Sequence, residues 1–277
     1  MGLQINTNVQ SISAQRNLSS VKDSQNKALE RLSSGNRIVR AGDDAAGLAI
    51  SEKLKAEIRG SKQASRNAGD GISMVQVAEG GLNEISNILI RLRELSVQTA
   101  SDTVGEEERK FADMEFQNLT TEIDRISQST EFNGKSLLSG SGGSFDFQIG
   151  TGNDENFDRL TYDSEATNAS GDTLGTNGLN VLDKSSAQSN LAALDNAINV
   201  VNGNRANLGA LQNRLGSTIN NLEIKSENLS TANSRIRDTD VAVQASELVR
   251  TNILSQASTS VLAQANQSKQ AALRLIG

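Results

Sequence analysis

Between residues 187 and 236, apolar side chains recur at every third or fourth position with few gaps. They are Ala187, Leu191, Leu194, Ile198, Val201, Leu208, Leu211, Leu215, Ile219, Leu222, Leu229 and Ile236. That spacing draws one stripe down an α-helix that packs along its length against partners. A helix of about 50 residues, rising 1.5 Å per residue, spans about 75 Å. Such an element belongs to a long, thin bundle that buries little surface per residue. Gly203, Gly209 and Gly216 each weaken it by about 1 kcal/mol relative to Ala, which marks 203–209 as the place where it would break.

Two further stripes carry the same period: Ile72, Val75, Ala78, Leu82, Ile85, Leu89, Leu92, Leu95, and then Ala112, Phe116, Leu119, Ile123, Ile126. Ser101–Gly105 reads as a turn between them. Asp102 or Thr103 is the expected cap for the following helix, whose first turn carries Glu106, Glu107 and Glu108 beside the positive end of the dipole. Residues 130–180 change character, being rich in Gly, Ser, Asn and Asp. Within them Phe145, Phe147 and Ile149 alternate with polar residues as on a half-buried strand, with Phe157, Leu160 and Tyr162 as its partner across the Gly150–Asn156 turn. The expected fold is therefore mainly α. Long antiparallel helices, at about 45–100, 104–129 and 185–237, form a rod-like coiled-coil bundle with a small β-hairpin region at about 135–165.

The two ends read as a terminal two-helix coiled coil. Leu18, Val21, Ala28 and Leu32 hold heptad spacing near one end; Leu254, Ala257, Val261, Ser268, Ala271 and Leu275 hold it near the other. Both stripes are thin and mixed with Ala, Ser, Thr and Gln. An isolated helix of this kind is marginal in water, so each end is expected to be helical only when packed on the other or on further copies of the chain.

Composition closes several functional routes. The 277 residues include no Cys, His, Pro or Trp, so there is no disulfide, thiol nucleophile, imidazole base or ordinary zinc or haem ligand set. Neither catalysis nor a cofactor or metal is expected. Asp43 and Asp44 are read as caps on the helix starting at Ala45, not as a carboxylate pair for chemistry. Gly150–Asn156 lacks EF-hand spacing and is read as a hairpin turn. All seven aromatic rings, six Phe and one Tyr, lie between Phe111 and Tyr162. No run approaches the roughly 18 apolar residues of a membrane span, and the N-terminus lacks the basic start and apolar run of a secretory signal. Residues 1–40 carry six basic and two acidic side chains, but these are dispersed and without aromatics for base stacking, so nucleic acid and membrane are not expected partners.

Five segments together carry a family likeness. Leu32-Ser-Ser-Gly-Asn-Arg-Ile-Val-Arg-Ala-Gly-Asp-Asp-Ala-Ala-Gly-Leu-Ala-Ile-Ser-Glu-Lys-Leu54 resembles the N-terminal signature of bacterial flagellin, as does Ile5-Asn-Thr-Asn8 before it. Arg91-Leu-Arg-Glu-Leu-Ser-Val-Gln98, Phe132-Asn-Gly-Lys135 and Ala257-Ser-Thr-Ser-Val-Leu-Ala-Gln-Ala-Asn-Gln267 match in the same order. The resemblance spans about residues 1–150 and 185–277. It implies a self-assembling subunit of the flagellar filament, in a minimal form without variable outer domains, the hook–filament junction protein being the alternative. An inner polymerisation domain would be formed by residues 1–43 and 238–277, and a rod domain by 44–237.

The resemblance also implies partners. These are further copies of the chain, a flagellar export chaperone, the type III export apparatus, and hook-associated and cap proteins. The location implied is the extracellular flagellum, reached without a cleaved signal peptide. Lack of Cys and Pro suits threading through a narrow channel, because it avoids disulfide traps and slow X-Pro isomerisation. Arg91, Leu95 and Glu115 match positions that contact Toll-like receptor 5 in related flagellins, with Ile90 departing from the Gln common there. Read without the resemblance, Arg91 is a solvated helix residue and Leu95 a buried stripe member. Leu18, Val21, Leu32, Leu254, Val261 and Leu275 are the residues assigned to terminal helix packing. Surface Ser and Thr modification, known in the family, would fall in segment 164–176, which is expected to be exposed. Amide exchange on dilute monomer tests the weak-end reading: residues 5–35 should exchange with little protection, and strong protection there would refute it.

Overall fold

The computed structural model describes residues 7–274, which divide into two compact units, residues 7–56 with 228–274, and Glu57–Glu227. Leu275 and Ile5 lie outside the described residues. Six helices occur among them: α1 (Val9–Ser34), α2 (Ala45–Thr99), α3 (Glu106–Ser129), α4 (Gly171–Leu174), α5 (Lys184–Arg237) and α6 (Val241–Arg274). Two antiparallel hairpins lie between α3 and α4: β1 (Glu131–Phe132) with β2 (Lys135–Ser136), and β3 (Ser144–Gln148) with β4 (Arg159–Asp163).

The Glu57–Glu227 unit is built on three long helices. Cross-pairs Glu79–Arg205, Arg93–Asp195 and Asp102–Lys184 run α5 antiparallel to α2, and Arg91–Glu115 does the same for α3. Ala187, Leu194, Val201, Leu208, Leu215 and Leu222 of α5 are all buried, and each is seven residues from the next. On α2, Val75, Leu82 and Leu89 form one such line and Ala78, Ile85 and Leu92 a second. Phe116 and Ile123 of α3 close the core. The seven-residue period is the mark of left-handed supercoiled packing.

The hairpins lie on α2 at glycines. A Cβ on Gly71 would stand 3.1 Å from the Phe147 ring, and one on Gly81 would meet Thr130 Oγ1 at 2.7 Å and Leu138 Cδ1 at 2.8 Å. Tyr162 of β4 is buried, its hydroxyl 2.7 Å from both Leu137 O and Thr167 Oγ1. It packs against Phe145 with ring centroids 5.7 Å apart. Burial pushes the Tyr162 phenol above its ordinary range. The next segment is held by α3. Asp124 Oδ1 accepts from Gly171 N at 2.7 Å, Asp113 Oδ1 from Val181 N at 2.9 Å, and Gln117 Nε2 donates to Leu179 O at 2.9 Å.

Several local expectations are corrected. α5 is not among them: it runs unbroken over Lys184–Arg237, through Gly203 and Gly209, the place where a break would have come. α3 starts at Glu106 behind Gly105, and neither Asp102 nor Thr103 caps it. Asp102 instead reaches Lys184 at 2.6 Å and Thr103 bonds Ser101 at 2.7 Å. Phe157 belongs to no strand and is 82% exposed in the β3–β4 turn, since β4 starts at Arg159. Segment 164–176 is only partly exposed: Ser164, Thr167 and Thr176 are buried by the clamps from α3 and the Tyr162 network, Ser170 is half-buried, and Thr173 is exposed.

A Cβ added at Gly203 or Gly209 meets no atom within 4 Å. Gly203→Ala and Gly209→Ala should each stabilise the chain by about 0.5–1 kcal/mol, read as a raised midpoint in thermal or urea unfolding.

Candidate functional site

In the terminal unit, α1 and α6 lie antiparallel. The α1 side of their seam is Ser11, Ala14, Leu18, Val21, Gln25, Ala28 and Leu32, alternating three and four residues apart. The α6 side is Gln244, Leu248, Thr251, Ser255, Ser258, Leu262 and Ala265 in the same rhythm. Of these only Ala14, Ala28, Thr251 and Ala265 are fully buried, so the contact is close, narrow and poor in apolar area. Polar ties fix its register. Asn8 Nδ2 donates to Ala265 O at 3.1 Å while its Oδ1 caps Ser11 N at 3.1 Å. Ser11 Oγ donates to Asn266 Oδ1 at 3.0 Å, and Gln25 Nε2 to Asn252 Oδ1 at 2.6 Å.

The two connectors that lead into these helices are stitched together. Gly35 ends α1 in the left-handed region at φ 69°, as C-cap glycines do. Arg37 N then donates to Arg237 O at 2.6 Å, Thr239 N to Gly35 O at 3.0 Å, and the Arg37 guanidinium caps α5 at Ile236 O. Asp44 Oδ1 accepts from Gly47 N at 2.8 Å and so caps α2. Asp43 differs from its expected capping role. Its Oδ2 accepts from Arg40 N at 3.1 Å and Val39 N at 3.2 Å, tightening the connector. Those two amides hold the Asp43 carboxyl below the usual carboxylate range.

The outward faces of the pair carry exposed apolar side chains among polar ones, more of them on α6 than on α1. Val9, Ile12 and Leu29 on α1, and Val241, Val243, Val249, Ile253, Leu254 and Val261 on α6, are all exposed. Of the residues assigned to terminal packing, Leu18, Val21 and Leu32 are half-buried in the seam, whereas Leu254 and Val261 stand exposed at its flank, Val261 at 58% exposure beside Gln10 and Asn17 of α1. The apolar spacing on α6 thus traces the edge of the contact. The face that meets α1 intersperses Leu248 and Leu262 with Gln, Thr and Ser, which a search for hydrophobic spacing passes over. Charge or hydrogen-bond complementarity with Asn8, Ser11 and Gln25 is the signal that could have found it.

A second surface lies in the Glu57–Glu227 unit, where α2 meets α3. Arg91 Nε donates to Glu115 Oε1 at 2.8 Å and Nη1 to Glu94 Oε2 at 3.1 Å. Glu115, and then Glu94, raise the Arg91 pKa further above neutrality, so the guanidinium stays charged. Both sides of the Arg91–Glu115 pair are about half exposed, flanked by exposed Ile90 and Met114. Leu95 does not join them: it is 2% exposed and packs in the core with Leu92. The surface offered here is therefore Arg91 and Glu115 without the Leu95 side chain. Among the described residues no group of three or more acidic side chains could hold a metal ion, and no helix is long and apolar enough to cross a membrane.

Comparison with known proteins places the chain among relatives. The model of the bacterial flagellin N-terminal helical region matches residues 5–142, and that of the C-terminal helical region matches 191–276. The chain is 46% identical over 272 residues to a flagellin of Halalkalibacterium halodurans, covering 98% of this chain and 99% of the relative. It is 41% identical over 283 residues to the flagellar filament 33 kDa core protein of Treponema phagedenis, with 98% and 99% covered. Among solved structures, Bacillus cereus flagellin matches with a TM-score of 0.51 at 33% identity, over 57% of this chain and 88% of that one.

Proposed function

The chain belongs to the bacterial flagellin family, and on that premise we infer that it is a structural subunit that self-assembles into the helical flagellar filament used for motility. The observation that carries the inference is the pair of family regions at its two ends, joined to relatives matched over nearly their whole length. The hook–filament junction reading is not favoured, since the full-length relatives reported above are named as flagellin and filament core protein.

Beyond that, α1 and α6 form the polymerising part, residues 1–43 and 238–277 acting as an inner domain and 44–237 as a rod. The narrow α1–α6 seam and the exposed apolar side chains on the outward faces support this. A face of exposed Val and Ile that no partner within the chain covers is the kind that buries on association, at about 25 cal/mol per Å². Leu254 and Val261 are then packing residues between copies, not within one chain. The subunit is structural, not catalytic, and takes no cofactor. It is secreted to the extracellular flagellum. Its partners are an export chaperone, the type III export apparatus, and hook-associated and cap proteins. A chain free of Cys and Pro supports passage in an unfolded state.

Salt-induced assembly followed by electron microscopy tests the central reading, with long filaments expected from the wild-type chain. Ile253→Asp and Val261→Asp should abolish or sharply reduce filament length while leaving the unfolding midpoint of the monomer nearly unchanged. Assembly of both variants at wild-type yield would refute the role given to this face. A chain that caps instead of polymerising would form no filaments at all.

A second role concerns Toll-like receptor 5. The exposed Arg91–Glu115 pair supports a contact by these two side chains, with Leu95 holding α2 in place from beneath. In a receptor reporter assay Arg91→Ala and Glu115→Ala should each weaken signalling on the order of tenfold, the scale of one lost charge-assisted contact. Leu95→Ala should lower stability first, by about 2–5 kcal/mol. Wild-type signalling by both charge variants would sink the assignment.

A further inference from the structure

The chain contains three Asn-Gly pairs, Asn133-Gly134, Asn177-Gly178 and Asn202-Gly203. We propose that Asn133 is a site of spontaneous deamidation and the first of the three to react in the folded protein. The chemistry needs only solvent water. The Gly134 amide nitrogen loses its proton to solvent and bonds to Asn133 Cγ, the Cγ–Nδ2 bond breaks, and ammonia leaves from a five-membered succinimide. Water then adds to either ring carbonyl, opening the ring to aspartate or to isoaspartate, in which the main chain runs through Cγ. Nothing is oxidised or reduced. Glycine favours the step because no Cβ hinders its nitrogen.

What separates the three pairs is the structure that must open before the nitrogen can reach Cγ. Asn202 and Gly203 lie inside the uninterrupted helix α5, with core contacts at Val201 and Asn204 on either side. Closing the ring there requires unwinding the middle of that helix. Asn177 sits in the Thr176–Leu179 turn, but its Nδ2 donates to Asp172 Oδ1 at 2.6 Å. Thr176 beside it is buried, with its amide bonded to Gly171 O at 2.9 Å. That side chain and its backbone are both held.

Asn133 is held by little. It and Gly134 are the two turn residues between β1 and β2, with φ of 52° and 75°, and Asn133 is the single non-glycine at positive φ among the described residues. Both are exposed, as is Lys135. Two residue pairs, Glu131↔Ser136 and Phe132↔Lys135, form the hairpin's ladder, with Leu137 N donating to Thr130 O at 3.0 Å at its base, away from the turn. No hydrogen bond of the Asn133 side chain or the Gly134 amide occurs among the described residues. So short a ladder opens locally at a small fraction of the global unfolding free energy. The product does not fit back. A two-residue turn of this type requires both residues at positive φ, and isoaspartate adds a methylene to its backbone. The strain falls on a hairpin flanked by Thr130 and Leu138, the residues that seat it on α2 at Gly81.

The reading is independent of how the chain assembles. Tryptic cleavage separates the three pairs, since Arg125, Lys135, Arg159, Lys184 and Arg205 bracket them one to a peptide. Purified full-length protein is held in mildly alkaline buffer, native or in urea, then digested. Peptides are scored by mass for the exchange of NH2 for OH and by isoaspartyl methyltransferase for the rearranged product. Peptide 126–135 should convert about tenfold faster than 185–205 in the folded protein and ahead of 160–184, with the spread collapsing in urea. In the variant Asn133→Ser the early methyltransferase signal should disappear. Earlier conversion of 160–184 or 185–205, equal ranking in native and urea samples, or an undiminished early signal in Asn133→Ser would each overturn the proposal.

Discussion

Knobs seven residues apart on antiparallel helices govern the Glu57–Glu227 unit. The α5 line from Ala187 to Leu222 and the two α2 lines through Leu82 and Ile85 are buried over their whole length, and everything else in the unit is positioned from them. A core made this way grows in length, not in width. It supplies contact along the helix axis, where each added heptad repeats the last. The ion pairs at Glu79, Arg93 and Asp102 flank that seam in partial contact with water, where such pairs contribute little stability. Their use is to penalise a helix that slides by one turn.

The terminal pair follows the opposite plan. Its seam brings two helices together through Ala, Ser, Thr and Gln, which allow close approach but bury little apolar area. Its few Leu and Val residues are only half-buried, and most of the Val and Ile side chains stand on the outside. A pair made this way is marginal in isolation and gains most when its outward Val and Ile side chains are covered. The connectors are tied by side chains to backbone groups. Arg37, Asp43 and Asp44 each satisfy backbone groups that would otherwise be left open at the end of a helix or in a turn.

Much of this was legible in the residues themselves. The stripes at 72–95, 112–126 and 187–236 find the long helices because periodicity reports a buried face directly, while the start of α2 at Ala45 was marked by the Asp43-Asp44 pair before it. The alternation Phe145-Phe147 and Leu160-Tyr162 finds the larger hairpin for the same reason. Three things were not legible. The α6 face that meets α1 mixes Leu248 and Leu262 with Gln, Thr and Ser, so hydrophobic spacing selects Leu254 and Val261 at its flank. Leu95 cannot be assigned to surface or core from its place on a stripe until the neighbouring helices are known. The inward folding of 164–176 depends on acceptors more than 40 residues away on α3, and nothing in that Ser- and Thr-rich stretch records them. Phe157 misleads in the other direction, being a large ring left in water at a turn.

The clamps on that stretch determine where this chain can change its length. Asp113, Gln117 and Asp124 fasten residues 171–181 to α3, so extra residues placed there would tear three long-range hydrogen bonds and shift the start of α5. The tip from Asn153 to Phe157 is different. It is fully exposed, and Gln148 and Arg159 beneath it are paired across the ladder, which keeps the two ends of any longer loop side by side. Closing a longer loop on fixed ends costs only slowly more with length. New sequence, whether decorative or a whole folded module, can thus be spliced in at the tip while both long helices keep their register.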